Sequence, residues 1–212
     1  MSGVRGPAND REEPIMTEFL ELKEAVKKYV TPGCSVAAEG FTHLIPHAAG
    51  AEIIRQEIRH LTLIRMTPDV IFDQLIGMGC ADKLVFSWGG NPGVGSLFRL
   101  RDAYEKGVPH EMEFEEHAHA AMANAYTAGA AGMPCAVFKG YRGTDYPEIN
   151  SNIRSVECPF TGEKLALLPA LILDVGLIHV HRADKFGNAQ IDGISGFAFE
   201  MARASKRLII IA

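Results

Sequence analysis

Short apolar runs that alternate with segments of helical period constrain this chain more than any other feature. Cys34-Ser35-Val36-Ala37-Ala38, Leu61-Thr62-Leu63-Ile64-Arg65, Lys83-Leu84-Val85-Phe86-Ser87-Trp88 and Leu171 to Val180 have strand length and little polar alternation, the pattern of strands covered on both faces. Between them, Phe19, Leu22, Ala25, Val26 and Tyr29 share one helical face, and Ala49, Ile53, Ile54 and Ile58 recur at helical spacing behind Pro46, a residue tolerated in a first turn. Phe72 to Met78, Ser96 to Lys106, Ala118 to Ala131 and Ala198 to Ala204 also read as helices, Cys135 to Phe138 as a strand, and Gly140 to Arg154 as a long polar loop. Strands alternating with helices of this length predict an α/β domain with a mainly parallel sheet flanked by helices. Ligands of such sheets sit at the carboxyl ends of the strands.

A chain of 212 residues that is 47% hydrophobic can bury one sizeable core, so residues 16–212 are read as a single domain. The polar stretch MSGVRGPANDREEPI has no apolar h-region, so residues 1–15 are expected to be a disordered extension rather than a signal or a span, which places the protein in the cytoplasm. At the other end, Arg207-Leu208-Ile209-Ile210-Ile211-Ala212 is a buried-strand pattern that stops without a turn, so the expectation is a sheet truncated at its C-terminal side, continued or covered by something else. A formal net charge of -5 without a Lys/Arg run argues against nucleic acid and anionic membrane as partners. Cys34, Cys80, Cys135 and Cys158 are scattered without a C-x-x-C pair and read as reduced thiols.

Four stretches carry candidate chemistry. In Val36-Ala37-Ala38-Glu39-Gly40-Phe41-Thr42-His43-Leu44-Ile45-Pro46-His47 an acid ends a strand just before a helix whose first N–H groups lack intrahelical partners, a place suited to an anion or a developing oxyanion. Glu39 there is either a chemical group or a solvated turn residue beside a permissive Gly40. Ser87-Trp88-Gly89-Gly90-Asn91-Pro92-Gly93-Val94-Gly95-Ser96 has glycines that let backbone approach a ligand, yet it is neither a Walker loop nor G-x-G-x-x-G. It reads equally as a turn or as a pantetheine or phosphate channel. Glu113-Phe114-Glu115-Glu116-His117-Ala118-His119 reads as a helix entrance whose acids complement the dipole, and its two imidazoles at i, i+2 do not share a helical face for a metal. His179 and His181 would share one side of a strand, without an evident third ligand. No metal site is expected.

Taken in order, these motifs resemble the A subunit of family I CoA-transferases, of the glutaconate CoA-transferase type. "PGCSVAAEGFTHLIP" looks like that family's first strand and Gly-Phe turn. Thr127-Ala128-Gly129-Ala130-Ala131-Gly132 looks like its close-packed helix, and "DVGLIHVHRADKFGNAQI" like its late strand and Ala-Asp-x-x-Gly-Asn turn. Within the family, "EGFTHLIP", "FSWGGNPGVGS" and "EEHAHAAMANAY" are most similar to the A chains of enzymes that act on 3-oxoadipate in aromatic degradation. Glu39 stands where glycine is common, and His119 where glutamine is common. The resemblance implies the NagB/RpiA/CoA-transferase-like fold and a ping-pong double displacement in which an enzyme glutamate takes an acyl group and then CoA from an acyl-CoA such as succinyl-CoA. It implies that this nucleophile lies on a B subunit in a heterotetramer or larger assembly, so that this chain has no catalytic residue of its own. No cofactor is bound permanently, and coenzyme A enters as acyl-CoA substrate. Glu39, Gly40, Phe41, Thr42, Gly90, Asn91 and His119 would then line the acyl and CoA pocket. Two other readings stay open on the same scaffold: a hydrolase subunit that opens a CoA-bound ring, and a non-catalytic ligand-sensing domain.

Overall fold

The computed structural model describes residues 17–91 and 95–212. The expected extension over residues 1–15 and the centre of the glycine-rich loop, Pro92, Gly93 and Val94, lie outside the described residues. The described chain runs through α1 (Leu22–Tyr29), β1 (Ser35–Ala38), α2 (His47–Arg55), β2 (Leu61–Ile64), α3 (Val70–Gly77), β3 (Ala81–Phe86), α4 (Phe98–Lys106) and β4 (Glu113–Glu116). Helix α5 (His119–Ala130) leads into a lobe made of β5 (Cys135–Phe138), the short α6 (Tyr146–Ile149), β6 (Arg154–Glu157) and β7 (Lys164–Pro169). The chain returns through β8 (Leu173–His179), a ribbon of β9 (Arg182–Ala183) and β10 (Ala189–Gln190), α7 (Ala198–Ala204) and β11 (Ser205–Ile211).

Six strands form one sheet in the order β11-β8-β1-β2-β3-β4, and every neighbouring pair is parallel. Because successive side chains of a strand point to opposite faces, the apolar runs supply two cores. Val36, Leu61, Leu63, Leu84, Val175 and Leu177 meet Val26, Ile53, Phe72 and Ile76 of the first three helices. Ala37, Ile64, Val85 and Ile178 meet Met122, Tyr126 and Met201 of α5 and α7 on the other face. Each such aliphatic side chain contributes about 1.5–3 kcal/mol when fully buried, which is why these runs dispense with polar alternation. The small residues of α5 have a steric reason: a Cβ on Gly129 would lie 1.9 Å from the Leu171 carbonyl oxygen, so only glycine lets that backbone come so close.

The α/β reading with a mainly parallel sheet holds, and four local expectations are corrected. Glu113 to Glu116 is the edge strand β4 rather than a helix entrance, paired in parallel with β3. Lys83 Nζ lies 2.8 Å from Glu113 and 2.6 Å from Glu115, so those acids answer a lysine on the neighbouring strand and not a helix dipole. The supposed loop from Gly140 to Arg154 contains α6 and the first residue of β6, and β5, β7 and β6 form a separate antiparallel sheet that packs on α5. His179 and His181 do not share a strand face, because β8 ends at His179 and the His181 N–H donates to the Gln190 carbonyl. The last strand is less buried than its sequence suggests: Ile209 is buried in β11, while Lys206, Arg207 and Leu208 are exposed along the sheet edge. No helix among the described residues is long and apolar enough to cross a membrane.

Candidate functional site

The carboxyl ends of β1, β2, β3 and β4 lie side by side, and each is followed by one of the stretches singled out above or by its structural partner. Glu39 to Thr42 follow β1, Arg65 and Met66 follow β2, Ser87 to Asn91 follow β3, and His117 to His119 follow β4. Met66 ties them together. Its N–H donates to Glu39 Oε1 at 3.1 Å, and its carbonyl accepts from the N–H groups of Ser87 and Trp88, each at 3.1 Å, and from the Ser87 hydroxyl at 2.6 Å. Ser87 Oγ is also 2.6 Å from His119 Nδ1. A serine has one hydroxyl proton, and here a carbonyl can only accept it, so Nδ1–H of His119 donates to Ser87. Ser87 is therefore a positioner of His119, not a nucleophile that His119 could activate.

Glu39 is not a solvated turn residue. It is 6% exposed, and its carboxylate turns inward to accept from Met66 N–H and from the Tyr126 hydroxyl at 2.9 Å. Burial pushes its carboxyl above the ordinary carboxylate value; the Arg65 charge and the two hydrogen bonds offset this only in part. Burial likewise pushes the Tyr126 phenol well up. Arg65, 3% exposed, reaches back from β2 to β1: Nη1 donates to the Ala38 carbonyl at 2.9 Å and Nη2 to the Gly40 carbonyl at 3.0 Å, while Nε donates to Thr67 at 2.7 Å. Its Nη2 is 3.1 Å from Asp69 Oδ2, an ion-pair distance whose direction is too poor for a hydrogen bond, so charge alone holds that contact. The guanidinium lies over the Phe72 ring at 5.6 Å.

Above this buried lacing the turn is exposed and strained. Thr42 and Leu44 have φ of 62° and 54°, a left-handed conformation uncommon for such side chains. Gly40 is required there, since a Cβ would lie 2.7 Å from the Leu44 carbonyl oxygen. Phe41 is 48% exposed and its carbonyl is 2.9 Å from His43 Nδ1. On the β3 side Gly90 is buried beneath the Trp88 indole, which a Cβ would meet at 2.5 Å, and Asn91 bridges to Gly95 across the undescribed loop centre. His119 is exposed at the first turn of α5. All seven residues chosen from the sequence thus lie on one sheet edge, six of them on its surface turns or just beneath and Glu39 facing in. Arg65, Tyr126 and Ser87 were not among them. Arg65 had a legible signal, a lone base that ends one apolar strand as Glu39, an acid, follows its neighbour; Tyr126 had none beyond being the one tyrosine in an alanine-rich helix.

A cavity of about 370 Å³ lies elsewhere, between the sheet and α5, lined by Lys83, Glu115, His117, Met122, Asn152 and Leu168. Burial there would raise the Glu115 carboxyl, but hydrogen bonds from His117, Lys83 and Asn152 outweigh it and bring the value down to about 2. Among the described residues no group of three or more His, Cys, Asp or Glu side chains is placed to hold a metal ion.

The chain's similarity to known proteins agrees with this geometry. Residues 19–212 match the family model described as Coenzyme A transferase. The chain is 57% identical over 195 residues to the A subunit of the 3-oxoadipate CoA-transferase of Pseudomonas knackmussii, covering 92% of this chain and 69% of that protein. Glutaconate coenzyme A-transferase from Acidaminococcus fermentans superposes with a TM-score of 0.80 at 27% identity, covering 90% of this chain and 67% of the other. The decarboxylase AibA/AibB superposes with a TM-score of 0.77 at 28% identity, covering 90% and 72%. With its parallel sheet, its glycine turn at the first strand and a family match over nearly all described residues, the chain belongs to the Coenzyme A transferase family.

Proposed function

We propose that this chain is the A subunit of a CoA-transferase that moves CoA from an acyl-CoA such as succinyl-CoA to a dicarboxylic or 3-oxo acid, with 3-oxoadipate the acid that the 57% identical relative favours. The nucleophile is a glutamate of a partner B subunit. Its carboxylate oxygen attacks the thioester carbon and expels CoA thiolate; the thiolate then attacks the glutamyl carbonyl of the anhydride and releases the donor acid. The acceptor carboxylate repeats the sequence in reverse, which divides one difficult transfer into easier ones. The observation that carries this division of labour is the direction of Glu39: its carboxylate is held inside by Met66 and Tyr126, where no thioester can reach it. This chain supplies the walls instead, from Gly40, Phe41 and Thr42 on one side and Gly90, Asn91 and His119 on the other.

The test is reconstitution. Mixed with its partner subunit, 3-oxoadipate and succinyl-CoA, the chain should yield 3-oxoadipyl-CoA and succinate, and borohydride should trap a glutamyl-CoA thioester on the partner. Absence of CoA exchange with any dicarboxylate would sink the reading. Thioester loss that needs only water would move it to a hydrolase, and release of carbon dioxide to the chemistry named for AibA/AibB.

A further inference from the structure

The lobe buries only one face of its sheet. In β7 the side chains of Ala166 and Leu168 are buried and pack with Ala121 of α5, while Leu165 and Leu167, which alternate with them, point to the other face. The register carries this alternation to both neighbours: Val137 of β5 stands opposite Leu167, and Val156 of β6 opposite Leu165. Val137 is 50% exposed and Val156 37%, and the two leucines are half-buried. The outer face is therefore a patch of four aliphatic side chains in adjacent register, rimmed by Arg154. An antiparallel sheet that keeps one face in water ordinarily shows polar side chains there. The same arm reaches the carboxyl edge of the main sheet. β7 follows α5 in reverse, from Leu171 at the Ala125 carbonyl to Ala166 beside Ala121. Arg142 donates to the Lys164 carbonyl, and its neighbour Tyr141 accepts from the Ala118 N–H at 2.8 Å, so the start of β7 is level with the start of α5. The turn from Cys158 to Glu163, closed by the Cys158 N–H on the Glu163 carbonyl, continues past that level and carries Phe160, 94% exposed.

We propose that the outer face of the lobe and the Phe160 turn are the docking surface for the partner B subunit, with the Phe160 ring seated in an apolar pocket of that subunit. The inference rests on the functional reading for the existence of the partner, and on this chain's register and exposure for where it sits. Area selects the occupant. Three strands of about four residues present roughly 200 Å², well below the roughly 800 Å² that each side of a stable interface buries. The patch cannot hold a protein alone, so its occupant extends onto neighbouring surface. The arm projects towards the carboxyl edge, where Phe41 and Trp88 are also about half exposed and where the transfer needs a glutamate from another chain. A second copy of this chain would bring only an inward-facing Glu39. The stretch before Thr17 is polar and has no aliphatic run to lay on the face. A lone aromatic side chain standing clear of its own chain is the kind of anchor that dominates an interface once it is enclosed.

The test uses the full chain and its purified partner subunit. With Phe160 replaced by the photoreactive p-benzoylphenylalanine, irradiation of the mixture should join the chain to the partner subunit. In sedimentation, Phe160→Ala should weaken association about tenfold, the loss of one interface anchor, and Val137→Glu about a hundredfold, because it buries a charge at the centre of the patch. Met78→Glu places an acid on an exposed side chain at the amino side of the main sheet and should bind as wild type. If Val137→Glu does not fold, Phe160→Ala decides alone, since its ring is 94% exposed and its removal takes no packing from the chain. Association at wild-type strength in Phe160→Ala overturns the proposal, as does a crosslink that joins two copies of this chain. A crosslinked pair that transfers no CoA to any dicarboxylate would instead overturn the functional reading and leave the docking surface in place.

Discussion

Two carboxylates on the same sheet, one buried and one half-buried, behave in opposite ways. Glu39, past the end of β1, is surrounded by neutral donors, Met66 N–H and the Tyr126 hydroxyl, while the nearby Arg65 spends its hydrogen bonds on carbonyls. Burial wins and its carboxyl is raised. Glu115, in β4, has the Lys83 ammonium at 2.6 Å and a His117 ring nitrogen at 2.8 Å, and its carboxyl falls to about 2. Glu39 is the more deeply buried of the two, and the difference teaches that an acid's charge follows both its depth and the direction in which neighbouring cations point their protons. It also divides the molecule, with a frame near β1 and β2 held by directed hydrogen bonds and a flank near β3 and β4 held by charge.

The largest effect should come from removing the cation of the frame. Arg65→Met leaves Asp69 buried without its partner and frees three carbonyls, and is expected to lower stability by about 3–5 kcal/mol in urea unfolding; a loss under about 1 kcal/mol would mean that the frame holds without its cation. Next comes the flank. Because the folded value of Glu115 is depressed, its contribution is complete above the ordinary carboxylate value and is lost as pH falls towards about 2. Glu115→Gln should therefore cost on the order of 3 kcal/mol at neutral pH and nothing near pH 2.

Glu39→Gln tests the opposite sign. A raised folded value means that the unfolded chain gives up the proton first, so wild-type stability should fall as pH climbs from the ordinary carboxylate value to the raised one. The glutamine variant, which keeps an acceptor for Met66 and Tyr126, should lack that fall in a series of melts across pH. Equal slopes in the two proteins would show that Glu39 is not the group responsible. The smallest effect on stability belongs to His119→Ala, within about 0.5 kcal/mol because the ring is exposed, yet in the reconstituted enzyme it should slow turnover; unchanged rates would remove His119 from the pocket.

Much of the frame was legible from particular residues. The runs around Val36, Leu63, Leu84 and Leu177 announced a parallel sheet because a strand covered on both faces has no polar side to show. The Gly40 turn was legible because it follows a strand. Of the antiparallel lobe only β5 was read, since β6 is exposed along its whole length and carries no apolar period to read. Edge strand β4 reads as a helix entrance in sequence because Glu113 and Glu115 answer Lys83 across the strand gap, a pairing that sequence order does not contain.

By itself, then, the sequence determined the fold class, the apolar strands β1, β2, β3 and β8, and the stretches that follow the first three, because local period and apolar content suffice to fix such elements and the faces they bury. Only the tertiary structure decided which way the acid faces. Glu39 sits one residue from a surface turn, and whether it looks out at a substrate or in at Tyr126, 87 positions away in the chain, depends on a helix packed across the sheet. Long-range packing, which sets burial and therefore charge, is the property that no local stretch can carry.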